Sequence, residues 1–287
     1  MQGMNMKRRT LLLSLSALAA CTPSLGTFNR FAPHDGGARR VVTNAAYGEG
    51  PRRGLDVYAP NDAAPGAGLP VLMFIYGGSW RYGGKADYGF LGAAFAARGF
   101  VTVIPDYRLV PEVRFPSFIE DCAAALGWAR ANVAAYGGDP GRIVLAGHSA
   151  GAYNAVMLAL DAHYLADAPA VRGVVGLAGP YDFYPFDVPA TQNAFGQAPD
   201  VQTTQPVHFA RAGAAPLLLL WGADDDTVGP RNIASLERAM LAAGGPVETK
   251  IYPGIDHIDI LLALSRPFRA RAPVLEDVVA FARRVTA

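Results

Sequence analysis

The feature that most constrains this chain is a serine, Ser149, that stands between a strand pattern and a helix pattern. Residues 142–146 form an apolar run, residues 147–151 read G-H-S-A-G, and residues 152–158 have a helical composition. Glycines on both sides of the serine leave room for a sharp turn that holds its hydroxyl clear of the fold. A bare match would mean little in a chain with 32 glycines. With its flanking patterns, the stretch predicts a nucleophile elbow rather than a serine at an ordinary helix start.

Regular alternation of apolar runs with helical patterns predicts the fold class. Short, mostly continuous apolar runs are typical of strands covered on both faces, and here they occupy residues 71–76, 100–104, 143–146, 171–177, 217–221 and 247–252. Helical patterns lie near residues 86–98, 117–135, 151–162, 230–243 and 273–285. This rhythm predicts an α/β fold with a mostly parallel central sheet and helices on both faces. Before it, residues 41–47 and 55–58 predict an antiparallel hairpin.

Composition limits the class of protein. The chain has 287 residues, of which 51% are hydrophobic and 17% charged, and its formal net charge is +1. Such a chain can bury one large core, and no stretch within residues 40–287 resembles a linker between two domains. The hydrophobic content argues against disorder, and the balanced charge argues against a nucleic-acid partner. We therefore expect one domain over residues 40–287.

The N-terminal residues have the pattern of an export signal. Residues 7–9 are basic, and the apolar run at residues 10–20 is too short to span a membrane permanently. The sequence L-A-A-C that ends at Cys21 resembles the lipobox of bacterial lipoproteins, whose cysteine becomes the lipidated first residue. We therefore expect a signal peptide at residues 1–20 and a lipid anchor at Cys21 in the bacterial cell envelope. The alternative is a plain signal peptide with a coincidental cysteine.

The segment after the expected cleavage site predicts how the domain would be attached. Residues 21–39 are rich in proline, glycine, serine and threonine, which is typical of a tether. Removal of residues 1–20 takes away three basic residues and no acidic one, which leaves a net charge of −2. Attachment to a membrane is therefore expected through lipid rather than through attraction to anionic headgroups.

A serine hydroxyl needs a base to take its proton and an acid to orient that base. Of five histidines, His257 is the candidate base, because it lies in a loop after the last predicted strand, where parallel sheets present functional groups. For the other four histidines a structural role is expected rather than that of a catalytic base: His34, His148, His163 and His208. The acid is expected after the preceding strand, among three adjacent aspartates. We favour Asp225, followed by Asp226 and Asp224, and expect no orienting role for Asp256 or Asp259.

An acyl-transfer site also needs backbone N–H groups that stabilise an oxyanion. One should belong to Ala150, the residue directly after the nucleophile. The others should come from Gly77 and Gly78, which follow the first long strand and allow close approach of the backbone to a substrate.

Several stretches resemble one known family. The elbow is typical of the α/β-hydrolase fold, and residues 76–80 (Y-G-G-S-W) resemble the H-G-G-x-W oxyanion motif of its esterase branch. Residues 106–112 (D-Y-R-L-V-P-E) resemble the D-Y-R-L-A-P-E run of the same branch, which includes enzymes similar to hormone-sensitive lipase, feruloyl esterases and kynurenine formamidases. Residues 222–228 resemble G-x-x-D-x-x-V, and this resemblance assigns the acid to Asp225. The similarity covers roughly residues 40 to 285.

The chain departs from the family pattern at two places. Tyr76 stands where the family has a histidine, so the side-chain hydrogen bonds that hold the oxyanion loop cannot be carried over. Residues 181–211 are few and contain four prolines, which leaves room only for a minimal cap. Five aromatic residues of that segment could line an acyl site or pack in the core: Tyr181, Phe183, Tyr184, Phe186 and Phe195.

The resemblance implies a serine hydrolase that cleaves small to medium carboxylic esters through an acyl-enzyme on Ser149, with Asp225 and His257 as its partners. It implies neither a metal nor an organic cofactor, and its expected partner is a small-molecule ester. Two alternatives stay open. One is an amidase or peptidase on the same fold, and the other is a binding protein that keeps the fold without turnover. Formamidase activity is disfavoured, because an exported lipoprotein would not meet that cytosolic substrate.

Overall fold

An eight-stranded sheet runs through the molecule, in a computed structural model that describes residues 24–165 and 170–287. The strands are β1 (Ala38–Ala46), β2 (Gly54–Pro60), β3 (Leu69–Ile75), β4 (Val101–Pro105), β5 (Gly138–His148), β6 (Val171–Leu177), β7 (Leu217–Gly222) and β8 (Val247–Tyr252). Their spatial order is β1-β2-β4-β3-β5-β6-β7-β8. The β1–β2 and β2–β4 pairs are antiparallel and all other pairs are parallel. The predicted hairpin and the mostly parallel sheet are confirmed.

Helices occupy most of the connections between strands. The described α-helices are α1 (Leu25–Phe31), α2 (Gly89–Ala96), α3 (Ser117–Asn132), α4 (Ala150–Leu160), α5 (Pro189–Phe195), α6 (Arg231–Ala242), α7 (Asp259–Leu262) and α8 (Val274–Val285). The helical patterns in the sequence predicted α2, α3, α4, α6 and α8. Successive side chains of a strand point to opposite faces of the sheet. Because every residue of β4 is buried, helices must cover both faces there. The predicted α/β fold class is confirmed.

The segment predicted as a tether over residues 21–39 is partly a folded element. Helix α1 begins after Ser24, whose side chain accepts a hydrogen bond from the N–H of Thr27. Phe28 packs edge-on against Phe90, with ring centroids 5.3 Å apart, and Asp35 accepts two hydrogen bonds from Arg269. The composition of the segment did not indicate these contacts, because a few side chains suffice to attach a short helix to a domain. From residue 24 onward the segment belongs to the domain, whereas Cys21 lies outside the described residues.

The cap over the carboxyl ends of the strands is small, as the sequence predicted. Between residues 181 and 211 the structure contains α5 and two 3₁₀ turns, Val201–Thr204 and Pro206–Phe209. Tyr181 and Phe195 are buried at 1% and 0% exposure, so they belong to the core, whereas Phe183 and Tyr184 line a cavity. None of the helices that the structure describes has the length and apolar character needed to cross a membrane.

Candidate active site

Ser149 lies at the turn between β5 and α4, as the sequence predicted. Its backbone has φ 55° and ψ −124°, a strained conformation for a residue other than glycine. A Cβ atom added to Gly147 would lie 2.3 Å from the carbonyl oxygen of Gly151, and one added to Gly151 would lie 2.0 Å from that of Ile75. Both distances are far below van der Waals contact. Only glycine allows this turn to pack so closely against β3.

The structure brings the predicted serine, histidine and aspartate together in one hydrogen-bonded line. His257 Nε2 lies 2.9 Å from Ser149 Oγ. His257 Nδ1 lies 2.8 Å from Asp225 Oδ2. The carboxylate can only accept, so Nδ1–H donates to Asp225 and Nε2 is free to accept the serine proton. This arrangement activates a hydroxyl nucleophile.

Burial distinguishes Asp225 from its two acidic neighbours. The Asp225 residue is 6% exposed, whereas Asp224 and Asp226 are exposed. Its Oδ1 accepts hydrogen bonds from the N–H groups of Thr227 and Val228 at 2.9 and 2.8 Å. Burial alone would raise the pKa of Asp225, but the hydrogen bonds from His257 and from these N–H groups outweigh it and lower the pKa. The carboxylate therefore stays ionised beside the base.

Asp256 and Asp259 have structural contacts near the base. Asp256 Oδ1 accepts hydrogen bonds from the N–H groups of Ile258 and Asp259, at 2.8 and 2.7 Å, and so caps the turn that leads into α7. Asp259 is paired with Arg271. Neither carboxylate is hydrogen-bonded to His257, in line with the expectation from the sequence.

Two of the predicted oxyanion residues lie beside the serine, and the third, Gly78, follows one of them in the chain. Gly77 lies directly against it, because a Cβ atom on Gly77 would be 3.0 Å from Ser149 Cβ. Gly78 has φ +118°, a conformation that favours glycine. Ala150 is the first residue of α4, and its N–H is therefore among those that a helix leaves free at its N-terminus. Gly77 and Ala150 thus lie beside the nucleophile, and the N–H of Ala150 is left free by the helix.

Tyr76 holds the oxyanion loop by contacts that the sequence did not reveal. Its hydroxyl donates to Asp106 Oδ1 at 3.0 Å and accepts from Arg52 Nη2 at 2.9 Å. Asp106 also accepts from the Lys85 side chain at 2.6 Å. The Tyr76 ring is stacked on Tyr107, with centroids 4.7 Å apart. Burial raises the pKa of Tyr76, so its hydroxyl remains a neutral donor.

His148, for which a structural role was expected, contacts the catalytic base. Its Nε2–H donates to the carbonyl oxygen of His257 at 2.8 Å, and the two ring centroids are 4.8 Å apart. Burial, followed by the neighbouring His257, lowers the pKa of His148 to about 3. The ring is therefore neutral and attaches the His257 loop to the elbow. Its position within the G-H-S-A-G run was the only signal in the sequence.

A cavity of about 370 Å³ opens onto the serine. Its walls include Ser79, Trp80 and Phe183. The indole Nε1–H of Trp80 donates to Asn154 Oδ1 at 3.1 Å, which fixes the ring. Polar side chains lie at the rim, where Arg231 is bound to Asp182 by two hydrogen bonds of 3.0 and 2.8 Å. The cavity can thus hold a small apolar group beside the nucleophile.

Within residues 24–165 and 170–287, no group of three or more His, Cys, Asp or Glu side chains is placed to hold a metal ion.

Comparison with known proteins identifies the family. Residues 55–240, more than half of the chain, match the BD-FAE family. The chain belongs to the BD-FAE family. It is 31% identical over 278 residues to esterase LipC of Mycobacterium tuberculosis, covering 84% of this chain and 68% of LipC. It is 27% identical over 269 residues to the isoprenylcysteine alpha-carbonyl methylesterase ICME of Arabidopsis thaliana, covering 84% of this chain and 62% of that enzyme. The chain thus spans about two thirds of the length of these relatives.

The fold of this BD-FAE member is shared with solved esterase structures. A truncated carbohydrate esterase from gut microbiota superposes with a TM-score of 0.76 at 20% identity, covering 89% of this chain and 99% of that chain. The predicted relationship to α/β-hydrolase esterases is confirmed. The family and the esterase relatives together make the chain a carboxylic ester hydrolase.

Proposed function

We propose that this BD-FAE member cleaves small to medium carboxylic esters through an acyl-enzyme on Ser149. The observation that supports the proposal is the line from Asp225 through His257 to Ser149, with contacts of 2.8 and 2.9 Å, at the opening of the 370 Å³ cavity. LipC is named an esterase, and ICME a methylesterase, which agrees with a site that accepts ester groups.

The arrangement of the site gives each group a role. His257 takes the proton of Ser149 as Oγ attacks the ester carbonyl, and the oxyanion is held by the N–H groups of Gly77, Gly78 and Ala150. The protonated His257, oriented by Asp225, then gives its proton to the leaving alcohol. A water activated by the same histidine releases the acid and restores the serine.

The experiment compares p-nitrophenyl esters of increasing acyl length, together with acetylated sugars, feruloyl esters and one matched amide. We expect the highest kcat/KM for short to medium acyl chains, because the cavity beside Ser149 is small. Ser149→Ala should lower hydrolysis by at least about 10⁴-fold in a protein that still folds. Retained hydrolysis in Ser149→Ala would contradict the proposal, and faster turnover of the amide would favour an amidase.

We also propose that the protein is exported and anchored by lipid at Cys21 in the bacterial cell envelope. The support is the basic, apolar and L-A-A-C pattern that ends at Cys21. Metabolic labelling with a palmitate analogue should mark the wild type and not Cys21→Ser. Cys122→Ser is the matched control, because Cys122 is a buried free cysteine and its loss should leave labelling unchanged.

A further inference from the structure

The active site lies at the carboxyl ends of the strands, and this edge of the sheet, called the carboxyl edge, also carries most of the exposed apolar side chains. Seven large hydrophobic side chains are exposed among the described residues. Tyr82 lies in the loop that follows β3, Tyr184 and Val188 line the cavity, and Ile258 follows His257. Ile251 is the last residue but one of β8. Five of the seven thus lie at or near the carboxyl ends of the strands, where exposed apolar groups often mark an interaction surface.

Helix α1 brings the N-terminal end of the described chain to the same edge. The side chain of Asn29 donates to the carbonyl oxygen of Ala86 at 2.7 Å and accepts from the N–H of Phe90 at 2.8 Å. Ala86 lies in the 3₁₀ turn Lys85–Tyr88 that precedes α2, and Phe90 lies in the first turn of α2, shortly after the Tyr82 loop. Phe31, the last residue of α1, is 76% exposed, more than any of the other six.

Two of these exposed aromatic rings lie beneath arginines. The guanidinium of Arg30 lies 5.6 Å from the centroid of Phe31, and that of Arg81 lies 5.3 Å from the centroid of Tyr82. Neither arginine is paired with a carboxylate in the part of the chain that the structure describes. An apolar ring with a free cation beside it suits the headgroup region of a bilayer, where the ring is buried and the cation meets phosphate.

We propose that this edge docks on a phospholipid bilayer through Phe31 and Tyr82, with the active site facing the lipid. The orientation rests on the proposed anchor at Cys21. Three residues separate Cys21 from Leu25, so a fully extended chain of four residue steps spans at most about 14 Å between them. Because α1 is packed on the domain, an anchor at Cys21 would hold this edge next to the membrane. Ester groups at the lipid surface would then lie close to Ser149.

The test measures binding to vesicles of phosphatidylcholine and phosphatidylglycerol by sedimentation. The full chain is used with Cys21→Ser, so that surface docking is measured without a lipid anchor. We expect Phe31→Ser/Tyr82→Ser to bind at least about tenfold more weakly. The matched control is the single variant Leu241→Ser. Leu241 has the same 62% exposure as Tyr82, but it lies at the end of α6, at the opposite edge of the sheet.

All of these proteins keep residues 1–20, so the apolar run there contributes equally to each. An equal loss of binding in Leu241→Ser, no loss in Phe31→Ser/Tyr82→Ser, or no binding by the parent chain would overturn the docking proposal. Hydrolysis of a soluble p-nitrophenyl ester, measured in parallel, should be unchanged in Leu241→Ser, and in Phe31→Ser/Tyr82→Ser it reports whether the active site remains folded. A parent chain that binds vesicles without hydrolysing esters would contradict the proposed function alone.

Discussion

The elbow and the oxyanion loop lie against each other beside the nucleophile, but they are held in different ways. The elbow keeps its shape because Gly147 and Gly151 have no side chains. Gly147 lies against the backbone of Gly151, and Gly151 lies against the backbone of β3. The oxyanion loop keeps its shape through polar side chains around Tyr76 that come from separate parts of the chain. The shape of the elbow thus depends on steric fit within a short stretch of chain, whereas the shape of the oxyanion loop depends on hydrogen bonds with residues distant in sequence. We therefore expect changes on the elbow side to reduce activity more than changes around Tyr76.

The largest effect is expected at the acid that orients the base. Asp225→Asn keeps the shape of the side chain but removes its charge, so His257 loses the partner that fixes its tautomer. We expect kcat to fall by about 10⁴-fold with little change in KM. Steady-state kinetics on a p-nitrophenyl ester measure this. Asp226→Asn, an exposed neighbour, should keep kcat within about twofold, and an equal loss there would contradict the assignment.

A methyl group in the elbow should have the next largest effect. Gly151→Ala places a Cβ atom 2.0 Å from the carbonyl oxygen of Ile75, so the backbone must shift. We expect kcat to fall by about 10²-fold and the free energy of unfolding to fall by about 2–4 kcal/mol. Urea unfolding and kinetics measure the two effects. Gly127→Ala is the control, because nothing lies within 4 Å of that site in α3 and a small gain in stability is expected.

Removal of one hydroxyl from the oxyanion loop should have a smaller effect. Tyr76→Phe removes the donor to Asp106 and the acceptor for Arg52, while the stacked ring remains. We expect kcat to fall by about tenfold at nearly constant KM, because the loop acts on the oxyanion of the transition state. Tyr252→Phe also removes a hydroxyl bound to a carboxylate, that of Asp277, but on the edge strand β8. Equal kcat values for both variants would show that the Tyr76 network does not position the loop.

The smallest expected effect is a change in the way the free energy of unfolding depends on pH, and it concerns His148. Its pKa is lowered to about 3 in the folded protein, against about 6.5 in an unfolded chain. The neutral ring therefore contributes stability that is complete above pH 6.5 and is lost as the pH falls toward 3. The slope approaches about 1.4 kcal/mol per pH unit for one proton. His148→Gln should flatten this slope in urea unfolding between pH 6.5 and 4.5, whereas replacement of the exposed His163 should leave it unchanged.

The sequence predicted the parts of the site that depend on local pattern and chain order. The elbow follows from a strand, two glycines and a helix within about 20 residues, and His257 follows from its position after the last strand. Among three adjacent aspartates the sequence favoured Asp225, and in the structure Asp225 is the buried one of the three. The family resemblance also assigned it correctly to the position that contacts His257.

The sequence could not predict contacts between residues far apart in the chain. His148 and His257 are separated by 109 residues, and Asp35 and Arg269 by 234. Composition alone therefore made residues 21–39 resemble a tether, although Phe28 and Asp35 attach part of that segment to the domain. The Tyr76 network was equally hidden, because no local pattern indicates that a tyrosine can replace the histidine of the family motif.

The central claim is that Ser149 is the nucleophile and that His257 activates it. Treatment with a fluorophosphonate probe, followed by peptide mass spectrometry, tests this directly. We predict a single adduct on the peptide that contains Ser149, no adduct in Ser149→Ala, and much slower labelling in Asp225→Asn. An adduct on another residue, or labelling of Ser149→Ala at the rate of the wild type, would contradict the claim.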